Sequence, residues 1–573
     1  MLKELTPAKI KTCSRSELNV ICDDLRRVIY DTVTQCGGHL ASNLGSVEST
    51  VALFYVFDFP NDKIVFDVGH QCYPYKLLSG RLDRFSTLRT AGGISGFPKR
   101  TESEYDCYDT GHAGTSVSAC IGIKKASDLL GEKRNVIAYI GDGSFNNGLV
   151  YEALNSLKIL NTNILIILND NGMSISPTVG GMKDILEGVK SGSREGVALL
   201  ESFGLEYIGV QDGNDVDEMI DVLETAKEKL QTRSVLLHIV TKKGKGYEFS
   251  ESHPTNTHGV PPVGSPKEKE YSEVLGETLC ALAKQDKRVT VVSAAMKEAL
   301  GLEEYFNTFP ERAFDVGICE ENASVLCASM ATGGLKPYYA IYSTFLQRAF
   351  DEIIHDVCAQ DLPVTFCIDR GGISGSDGET HQGVFDLSYL SLIPNLTIAV
   401  PKDTEELKKM LEFSLTYPHP LAIRYPRSGK VLIEGDNPSI EPGKWEYIHK
   451  TAKQSNVTVL ATGERSLIIA MKVLSNLQQE GKSFHLVNAR FVKPLDIELL
   501  SGLEGHVITI EDNVLLGGFG SMVTCTLAQM QKPCTVKNFA YRDSFIPQGK
   551  ITDLQAEYGV NCEEIQRYIT EIL

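Results

Sequence analysis

Short apolar runs rich in β-branched residues recur along the chain, and stretches with a helical period separate them. In the N-terminal part these runs cover residues 63–68, 135–140, 163–168 and 234–240. Between two of the runs, one helical face collects the apolar residues Leu149, Ala153, Leu154, Leu157 and Leu160. Apolar strands that alternate with helices predict an α/β fold, in which a parallel sheet is covered on both faces.

The same alternation continues beyond two polar breaks, which cover residues 248–269 and 428–450. Further predicted strands are 288–293, 336–341, 364–368, 396–400, 456–461, 484–488 and 506–510. We therefore predict three α/β domains, each with a mostly parallel sheet covered by helices. The predicted boundaries are 1–250, a linker at 251–270, then 271–430 and 445–573.

The net charge of the 573-residue chain is −18, because 74 acidic residues outnumber 56 basic ones. Such a chain has no general attraction for nucleic acid or an anionic membrane, so an anionic ligand needs a local cluster of donors. No apolar run reaches the ~18 residues that span a bilayer, and the N-terminus lacks the apolar core of a secretory signal. The 14 cysteines are scattered without a C-x-x-C pair, which favours free thiols and a reducing compartment. We expect a cytoplasmic protein.

Two polar motifs directly follow neighbouring predicted strands. Gly141-Asp142-Gly143 follows one strand, and Asn169-Asp170-Asn171 follows the next. Because the carboxyl ends of parallel strands meet at one edge of a sheet, Asp142 and Asn171 are expected to lie close together. Their oxygens suit Mg²⁺, and the glycines let the backbone approach a diphosphate. Alone, each motif would read as a plain turn or loop. At this spacing they resemble the thiamine-diphosphate fingerprint, which implies the backbone carbonyl of Met173 as a third metal ligand.

Thiamine diphosphate needs a carboxylic acid beside its aminopyrimidine ring, and the candidate is Glu320. A carboxyl group in this role must be buried, so that its pKa rises. Glu320 follows a short apolar strand predicted in the second domain and opens a predicted helix of small and apolar residues. The alternative is a first-turn glutamate that the helix dipole favours.

Several longer motifs resemble the 1-deoxy-D-xylulose-5-phosphate synthase family, a transketolase-like group of thiamine-diphosphate enzymes. The resemblance covers nearly the whole chain, and its motifs are residues 37–45 (GGHLASNLG), 67–74 (DVGHQCYP), 111–116 (GHAGTS), 341–348 (IYSTFLQR), 369–383 (DRGGISGSDGETHQG) and 424–427 (RYPR).

The resemblance implies a reaction and an assembly. Pyruvate would lose CO₂, and its remaining two carbons would join the aldehyde of D-glyceraldehyde 3-phosphate. The product, 1-deoxy-D-xylulose 5-phosphate, feeds isoprenoid, thiamine and pyridoxal synthesis. The family also implies Mg²⁺, a homodimer, and a cofactor held between the first and second domains.

The resemblance also assigns roles by position. Cofactor-contacting positions are His70, Gly111, His112, Ala113, Gly143, Ser144, Asn171, Tyr247 and Glu320, with Phe345 stacking on the aminopyrimidine. Active-site histidines, which orient substrate or move protons, are His39, His258 and His381. The acceptor pocket is formed by Tyr342, Arg348, Arg370, Asp377 and Arg427. Guanidinium groups fit a phosphorylated acceptor, although a lone arginine is more often a surface ion pair.

The chain departs from the family pattern at two places. Family members commonly have Glu-Gln-His where this chain has Glu320-Glu321-Asn322, and we expect this change to tune the site rather than abolish it. The region from Ser176 to Tyr207 is shorter than usual, which leaves open how the site is shielded from water.

Other readings remain. An ordinary transketolase would move a two-carbon ketol unit between sugar phosphates without releasing CO₂, and the 369–383 motif argues against it. The decarboxylating component of a 2-oxo acid dehydrogenase and a catalytically dead scaffold are further alternatives. A glycine-rich turn at 511–521 resembles a phosphate cradle, but we interpret it as structural.

Overall fold

The apolar runs form three mostly parallel sheets in a computed structural model of the chain. The structure describes residues 2, 5–264, 270–427, 429, 431–437, 439–451 and 455–573. The chain divides into two compact units. The first is Met1–Pro266 with Gly317–Cys319, and the second is Lys267–Val316 with Glu320–Leu573.

The first unit is built on one parallel sheet with the strand order β1-β2-β3-β5-β4. Its strands are β1 (Lys63–Phe66), β2 (Val136–Gly141), β3 (Leu165–Asp170), β4 (Glu206–Asp212) and β5 (Val235–Val240). Its helices are α1 (Pro7–Ile10), α2 (Arg15–Cys36), α3 (Ala41–Gly45), α4 (Val47–Val56), α5 (Tyr73–Lys76), α6 (Ser116–Leu129), α7 (Asp142–Phe145), α8 (Gly148–Leu160), α9 (Gly181–Lys190), α10 (Arg194–Glu201), α11 (Val216–Lys229) and α12 (Glu248–Ser252). Shorter π and 3₁₀ turns cover Leu77–Arg81 and Leu82–Thr87.

Both faces of this sheet are buried, because alternate residues of each central strand point to opposite sides. Ile137 and Tyr139 of β2 pack in one apolar cluster with α2, α4 and α11. Ala138 and Ile140 pack in another with α6 and α8. The predicted covering of the sheet on both faces is therefore confirmed.

The second unit holds two sheets, of order β15-β10-β11-β9-β8-β6-β7 and β12-β14-β13-β16-β17. Only β15 on β10 and β12 on β14 are antiparallel pairs among its named strands. The strands are β6 (Val289–Ser293), β7 (Ala313–Asp315), β8 (Lys336–Tyr342), β9 (Thr365–Asp369), β10 (Thr397–Ala399), β11 (Leu421–Arg424), β12 (Glu446–His449), β13 (Val457–Ala461), β14 (His485–Asn488), β15 (Phe491–Lys493), β16 (Gly505–Val514) and β17 (Cys534–Tyr541).

Helices surround both sheets of the second unit. They are α13 (Tyr271–Gln285), α14 (Glu303–Thr308), α15 (Glu320–Thr332), α16 (Ser343–Leu346), α17 (Phe350–Glu352), α18 (Asp386–Ser391), α19 (Thr404–Ser414), α20 (Glu464–Gln479), α21 (Ile497–Ser501), α22 (Phe519–Gln529), α23 (Ile551–Glu557) and α24 (Cys562–Ile572). Shorter 3₁₀ and π turns cover Pro310–Arg312, Gln347–Ala349, Ile353–Cys358 and Gly378–Thr380.

Every strand predicted from an apolar run is present, with its bounds shifted by a few residues. The short apolar strand predicted before Glu320 corresponds to β7. Of the strands that were not predicted, β4, β12, β15 and β17 lie at sheet edges, and β11 is an inner strand of four residues. Residues 265–269 of the predicted linker lie outside the described residues, and the division into three domains stays a prediction. All 14 cysteines belong to the described part of the chain and are free. No helix within the described ranges has both the length and the apolar character to cross a membrane.

Candidate active site

The register of β2 and β3 brings the two motifs of the first unit together. Gly141 pairs with Asn169 at the ends of these strands, so the residues that follow leave the sheet side by side. The backbone N–H of Asn171 donates to Asp142 Oδ1 over 3.4 Å. Met173 N donates to Asn171 Oδ1 over 3.2 Å, which folds the loop into a tight turn. Asp142 and Asn171 therefore lie close together at one edge of the sheet, as the motif spacing predicted, and Met173 follows in the same turn.

The carboxyl group of Asp142 is buried and only partly satisfied. Its Oδ2 atom has no hydrogen-bond partner among the described residues. Burial, with the nearby carboxylate of Asp170, raises the pKa of Asp142 to about 7. A buried carboxylate oxygen beside an amide oxygen suits a hard cation, which would replace the missing donor.

A buried lysine faces the same carboxylate. Lys243 is 6% exposed, and its Nζ donates to the Ser174 carbonyl over 2.5 Å. Burial lowers the pKa of Lys243 to about 8, while the charge of Asp142 opposes this change. An ammonium group in this position can neutralise an anion that binds beside Asp142.

Close backbone packing explains the glycines around Asp142. A Cβ atom on Gly143 would come within 2.8 Å of Ser174 Cβ. Gly114 has a φ of +83°, and a Cβ atom there would meet Asn147 Oδ1 at 2.4 Å. The carboxylate of Asp67 accepts bonds from Gly114 N (2.8 Å) and Ser116 N (3.0 Å). This anchors the 111–116 loop, which contains Gly111, His112 and Ala113.

Three predicted histidines of the first unit form one cluster. The ring centroids of His39, His70 and His258 are 5.5–5.8 Å apart, and Phe97 packs 5.6 Å from His39. Burial lowers the pKa of both His70 and His258 well below the usual value, and the neighbouring positive or ionisable groups add to the effect. Both rings are therefore neutral near pH 7, a state in which imidazole both donates and accepts.

Tyr247 and Ser144 have clear local partners. The ring of Tyr247 stacks on Tyr30 of α2 with centroids 3.9 Å apart. Ser144 is 4% exposed, and its hydroxyl hydrogen-bonds to the carboxylate of Asp67. The structure thus joins Ser144 to the 111–116 loop and ties Tyr247 to α2.

In the second unit, Glu320 is the first residue of α15 and is 4% exposed. Burial raises the pKa of its carboxyl group to about 7, Arg348 opposes the rise and Glu321 adds to it. Arg348 Nη1 lies 4.0 Å from Glu320 Oε2, and neither atom has a hydrogen-bond partner among the described residues. Glu320 is therefore a buried acid that is half protonated near neutral pH, unlike an ordinary first-turn glutamate.

Four other predicted residues of this unit form a continuous cluster. β8 and β9 pair Tyr342 with Asp369, which brings Arg370 beside Tyr342. The Arg370 guanidinium carbon lies 3.8 Å from the Tyr342 ring centroid. Phe345 stacks on Tyr342 at 5.8 Å and meets His381 edge-on at 5.5 Å. The cluster combines a cationic group, two aromatic rings and an imidazole.

The remaining acceptor-pocket candidates lie near this cluster. Burial raises the pKa of Tyr342 to about 12, and Arg370 and Arg427 oppose the rise. Arg427 is exposed, and its Nε donates to Glu270 Oε1 over 2.9 Å. Asp377 precedes the 3₁₀ turn that leads to His381. The hydroxyl of Thr344 donates to the carbonyl of Thr380, which joins this turn to the Phe345 segment.

Sequence reasoning missed three residues of the first unit. Asp67 and Asp170 hold the loops around the candidate metal ligands, and Lys243 faces Asp142. Asp67 and Asp170 carry the same signal as Asp142, since each follows or ends an apolar strand. Lys243 lies in a run of lysines and glycines, which gives no sign of which lysine is buried.

In the glycine-rich turn of the last sheet, a glutamate of the chain binds the backbone N–H groups at the start of the following helix. Glu511 of β16 accepts bonds from Phe519 N and Gly520 N at the start of α22, both over 2.8 Å. Burial raises the pKa of Glu511 to about 8, although these two donors favour its ionised form. The helix N-terminus is therefore occupied, which favours the structural interpretation of this turn.

Comparison with known proteins covers nearly the whole chain. The family model described as 1-deoxy-D-xylulose-5-phosphate synthase matches residues 2–196 and 193–241. The model of the transketolase pyrimidine binding domain matches 267–429, and that of the transketolase C-terminal domain matches 443–565.

Individual relatives extend this finding. The chain is 43% identical to a 1-deoxy-D-xylulose-5-phosphate synthase of Clostridium tetani over 611 residues, covering 98% of each chain. It is 42% identical to one of Clostridium perfringens over 624 residues, covering 100% of each chain. A transketolase structure from Campylobacter jejuni is 20% identical with a TM-score of 0.45, covering 96% of this chain and 98% of its own. The alignments exceed 573 residues, so these synthases carry positions that this chain lacks.

Proposed function

Because the chain belongs to the 1-deoxy-D-xylulose-5-phosphate synthase family, we propose that it condenses pyruvate with D-glyceraldehyde 3-phosphate and releases CO₂. The product is 1-deoxy-D-xylulose 5-phosphate, a precursor of isoprenoids, thiamine and pyridoxal. The observation that supports the proposal most is that Asp142 and Glu320, the two acids that the resemblance assigns to the cofactor, are both buried and incompletely satisfied among the described residues.

The first unit supplies the binding site for Mg²⁺ and a diphosphate. Asp142, Asn171 and the carbonyl of Met173 hold the metal, and the open Oδ2 atom of Asp142 supports this role. Lys243 offsets part of the diphosphate charge, and Gly143 lets the backbone approach closely. When bound, thiamine diphosphate would supply a nucleophilic carbon for the keto group and a cationic ring that accepts the electrons released on decarboxylation.

Glu320 is the acid that activates the cofactor. With its pKa raised to about 7, Glu320 is partly protonated near neutral pH, and its carboxyl group would hydrogen-bond to the far nitrogen of the aminopyrimidine ring. By the family resemblance, Phe345 would stack on that ring, and its own ring stacks on Tyr342.

Neutral histidines handle protons on the substrates. His70 and His258 remain uncharged near pH 7, so together with His39 they can bind hydroxyl and carboxylate groups and pass protons between them. His381, which lies beside Phe345, can serve in the same way.

The acceptor is bound through its phosphate. The side chains of Arg348 and Arg370 are only 12% and 15% exposed. Arg348 Nη1 has no hydrogen-bond partner among the described residues, whereas Arg370 Nη1 pairs with Asp369 Oδ1 at 3.0 Å. A phosphate group would interact favourably with both cations, and Arg427 and Asp377 complete the predicted acceptor pocket. We expect a homodimer that works in the cytoplasm.

Transketolase activity is the second candidate, supported by the transketolase matches of the second unit. The identity of 43% to a named synthase over 98% of each chain weighs against it.

One assay separates the two functions. The purified protein is given Mg²⁺, thiamine diphosphate and pyruvate, with and without D-glyceraldehyde 3-phosphate, and CO₂ and sugar products are followed. We expect CO₂ release that the aldehyde strongly stimulates, with a five-carbon 1-deoxy sugar phosphate. Ketol transfer from a ketose phosphate without CO₂ would support transketolase, and CO₂ release indifferent to the aldehyde would exclude the synthase.

A further inference from the structure

A network of polar side chains lies behind the candidate metal loop, with Asp170 and His238 buried and Lys190 at the surface. Asp170 ends β3, is 1% exposed, and directly precedes Asn171. Its Oδ1 accepts the backbone N–H of Gly172 over 3.1 Å. Gly172 has a φ of +72°, so the turn that presents Asn171 and Met173 depends on this bond.

Two side chains from other elements fix the carboxylate of Asp170. Lys190 Nζ lies 3.2 Å from Oδ1 and 3.0 Å from Oδ2. His238 of β5 places Nε2 3.0 Å from Oδ2, and its Nδ1 meets the Tyr207 hydroxyl of β4 at 2.9 Å. Both oxygens of Asp170 are therefore held, and His238 is itself oriented from behind.

Lys190 links this network to the shortened region. It is the last residue of α9, which lies with α10 in the segment 176–207 where the chain is shorter than its family pattern. The two segments of the family match also meet in this region, at residues 193–196. The Lys190–Asp170 ion pair thus joins the short segment to the loop that carries Asn171.

We infer that Lys190 and His238 are positioning residues for the metal site, acting through Asp170 on the Asn171–Met173 turn. This inference rests on the proposed metal site and adds a role for the shortened segment. The Lys190–Asp170 ion pair connects the shortened segment to the metal loop, and this connection sets the affinity for the divalent cation.

The sign of the effect separates positioning from simple electrostatics. A positive charge near a cation site repels the cation. If Lys190 acted only through its charge, its removal would therefore tighten metal binding. Loss of positioning has the opposite result, because a freed Asp170 no longer holds Gly172 and the turn. Removing an outer partner of a metal site typically weakens binding about 10–100-fold.

The test measures Mn²⁺ binding, as a probe for Mg²⁺, from the free Mn²⁺ signal in electron paramagnetic resonance with thiamine diphosphate present. The variants are Lys190→Met and Lys190→Arg. Lys183→Met is the matched control. Lys183 lies on the same helix, and its Nζ forms an ion pair with the exposed Glu187, 3.7 Å from Oε1. Asp142→Asn reports on the metal site itself, and thermal melting shows that each variant is folded.

We expect Lys190→Met to weaken Mn²⁺ binding about tenfold, with Lys190→Arg and Lys183→Met near the wild type. Tyr207→Phe, which frees His238 Nδ1, should weaken it by a smaller factor. Unchanged or tighter binding in Lys190→Met would overturn the inference while the metal site stands, provided that Asp142→Asn loses Mn²⁺. If Asp142→Asn binds as tightly as the wild type, both the proposed site and the inference fail.

Discussion

Two glycine-rich turns in this chain each carry a buried acid with a raised pKa, yet the two acids differ in their hydrogen bonds. Both oxygens of Glu511 accept backbone N–H groups at the start of α22. Asp142, at the start of α7, keeps Oδ2 without a partner among the described residues. A glycine-rich turn is therefore a candidate ligand site only where the chain's own acid leaves it open.

Glu320 resembles Asp142 rather than Glu511 in this respect. Its Oε2 atom is buried and lacks a partner within the described chain, and its pKa is raised to about 7. We therefore assign Asp142 and Glu320, which each keep an oxygen without a partner in the described chain, to cofactor binding. We assign Glu511, whose oxygens both accept hydrogen bonds, to the stability of the fold. The following experiments test that division.

The largest effect is expected for Glu320→Ala. Without the acid, proton donation to the aminopyrimidine ring is lost, so kcat should fall about 10³-fold while thiamine diphosphate still binds. Steady-state turnover measures kcat, and calorimetry measures the affinity for thiamine diphosphate. Glu321→Ala, the next residue of α15, is the control and should change kcat only a few-fold. Full activity in Glu320→Ala would show that another group supplies the proton.

Asp142→Asn should give the next largest effect. The amide cannot supply the carboxylate charge that the metal needs, so Mg²⁺-dependent binding of thiamine diphosphate should weaken by at least about 100-fold. Equilibrium dialysis with and without Mg²⁺ measures this loss. Equal cofactor affinity in the variant and the wild type would remove Asp142 from the metal site.

Arg348→Met should change the pH dependence of the reaction. Arg348 lowers the pKa of Glu320 by favouring its charged form. Removing this charge raises the pKa, and because activity needs the protonated acid, the alkaline limb of kcat should move about one unit to higher pH. A pH profile of CO₂ release measures the shift.

Arg427→Met is the matched control for that profile. Arg427 pairs with Glu270 near the acceptor pocket and does not act on Glu320. It should raise the KM for glyceraldehyde 3-phosphate and leave the alkaline limb in place. A limb that stays fixed, or moves to lower pH, in Arg348→Met would contradict the assigned role of Arg348.

Glu511→Gln should leave catalysis nearly unchanged and reduce stability. A glutamine loses one of two buried bonds to α22, which costs about 1–3 kcal/mol of unfolding free energy at pH 5. The folded pKa of about 8 lies above the unfolded value, so the wild type loses stability as the pH rises toward 8. Its advantage over the variant should therefore shrink with pH in denaturant titrations. A large loss of cofactor affinity would instead make this turn a ligand site.

The sequence was sufficient for the central strands and for the acids that directly follow them. β2, β3 and β8 are buried on both faces, so each reads as a continuous apolar run, and Asp142 stands out where the run stops. Edge strands such as β4 and β17 are half-exposed, which leaves no continuous apolar run to recognise.

The sequence could not show which polar groups are satisfied. Glu511 and Asp142 both precede glycines, and only the fold shows that α22 turns its N–H groups onto Glu511. Lys243 is one of several lysines in its loop, and its burial beside Asp142 arises from packing against the Ser174 turn. Such contacts join residues far apart in the chain, so no local pattern records them.

The most direct test is a crystal structure with thiamine diphosphate and Mn²⁺, in which anomalous scattering locates the metal. The account predicts an anomalous peak bound by Asp142, Asn171 and the Met173 carbonyl, with the aminopyrimidine nitrogen hydrogen-bonded to Glu320. The account would be contradicted by a metal bound elsewhere, or by a pyrimidine ring that makes no hydrogen bond with the carboxyl group of Glu320.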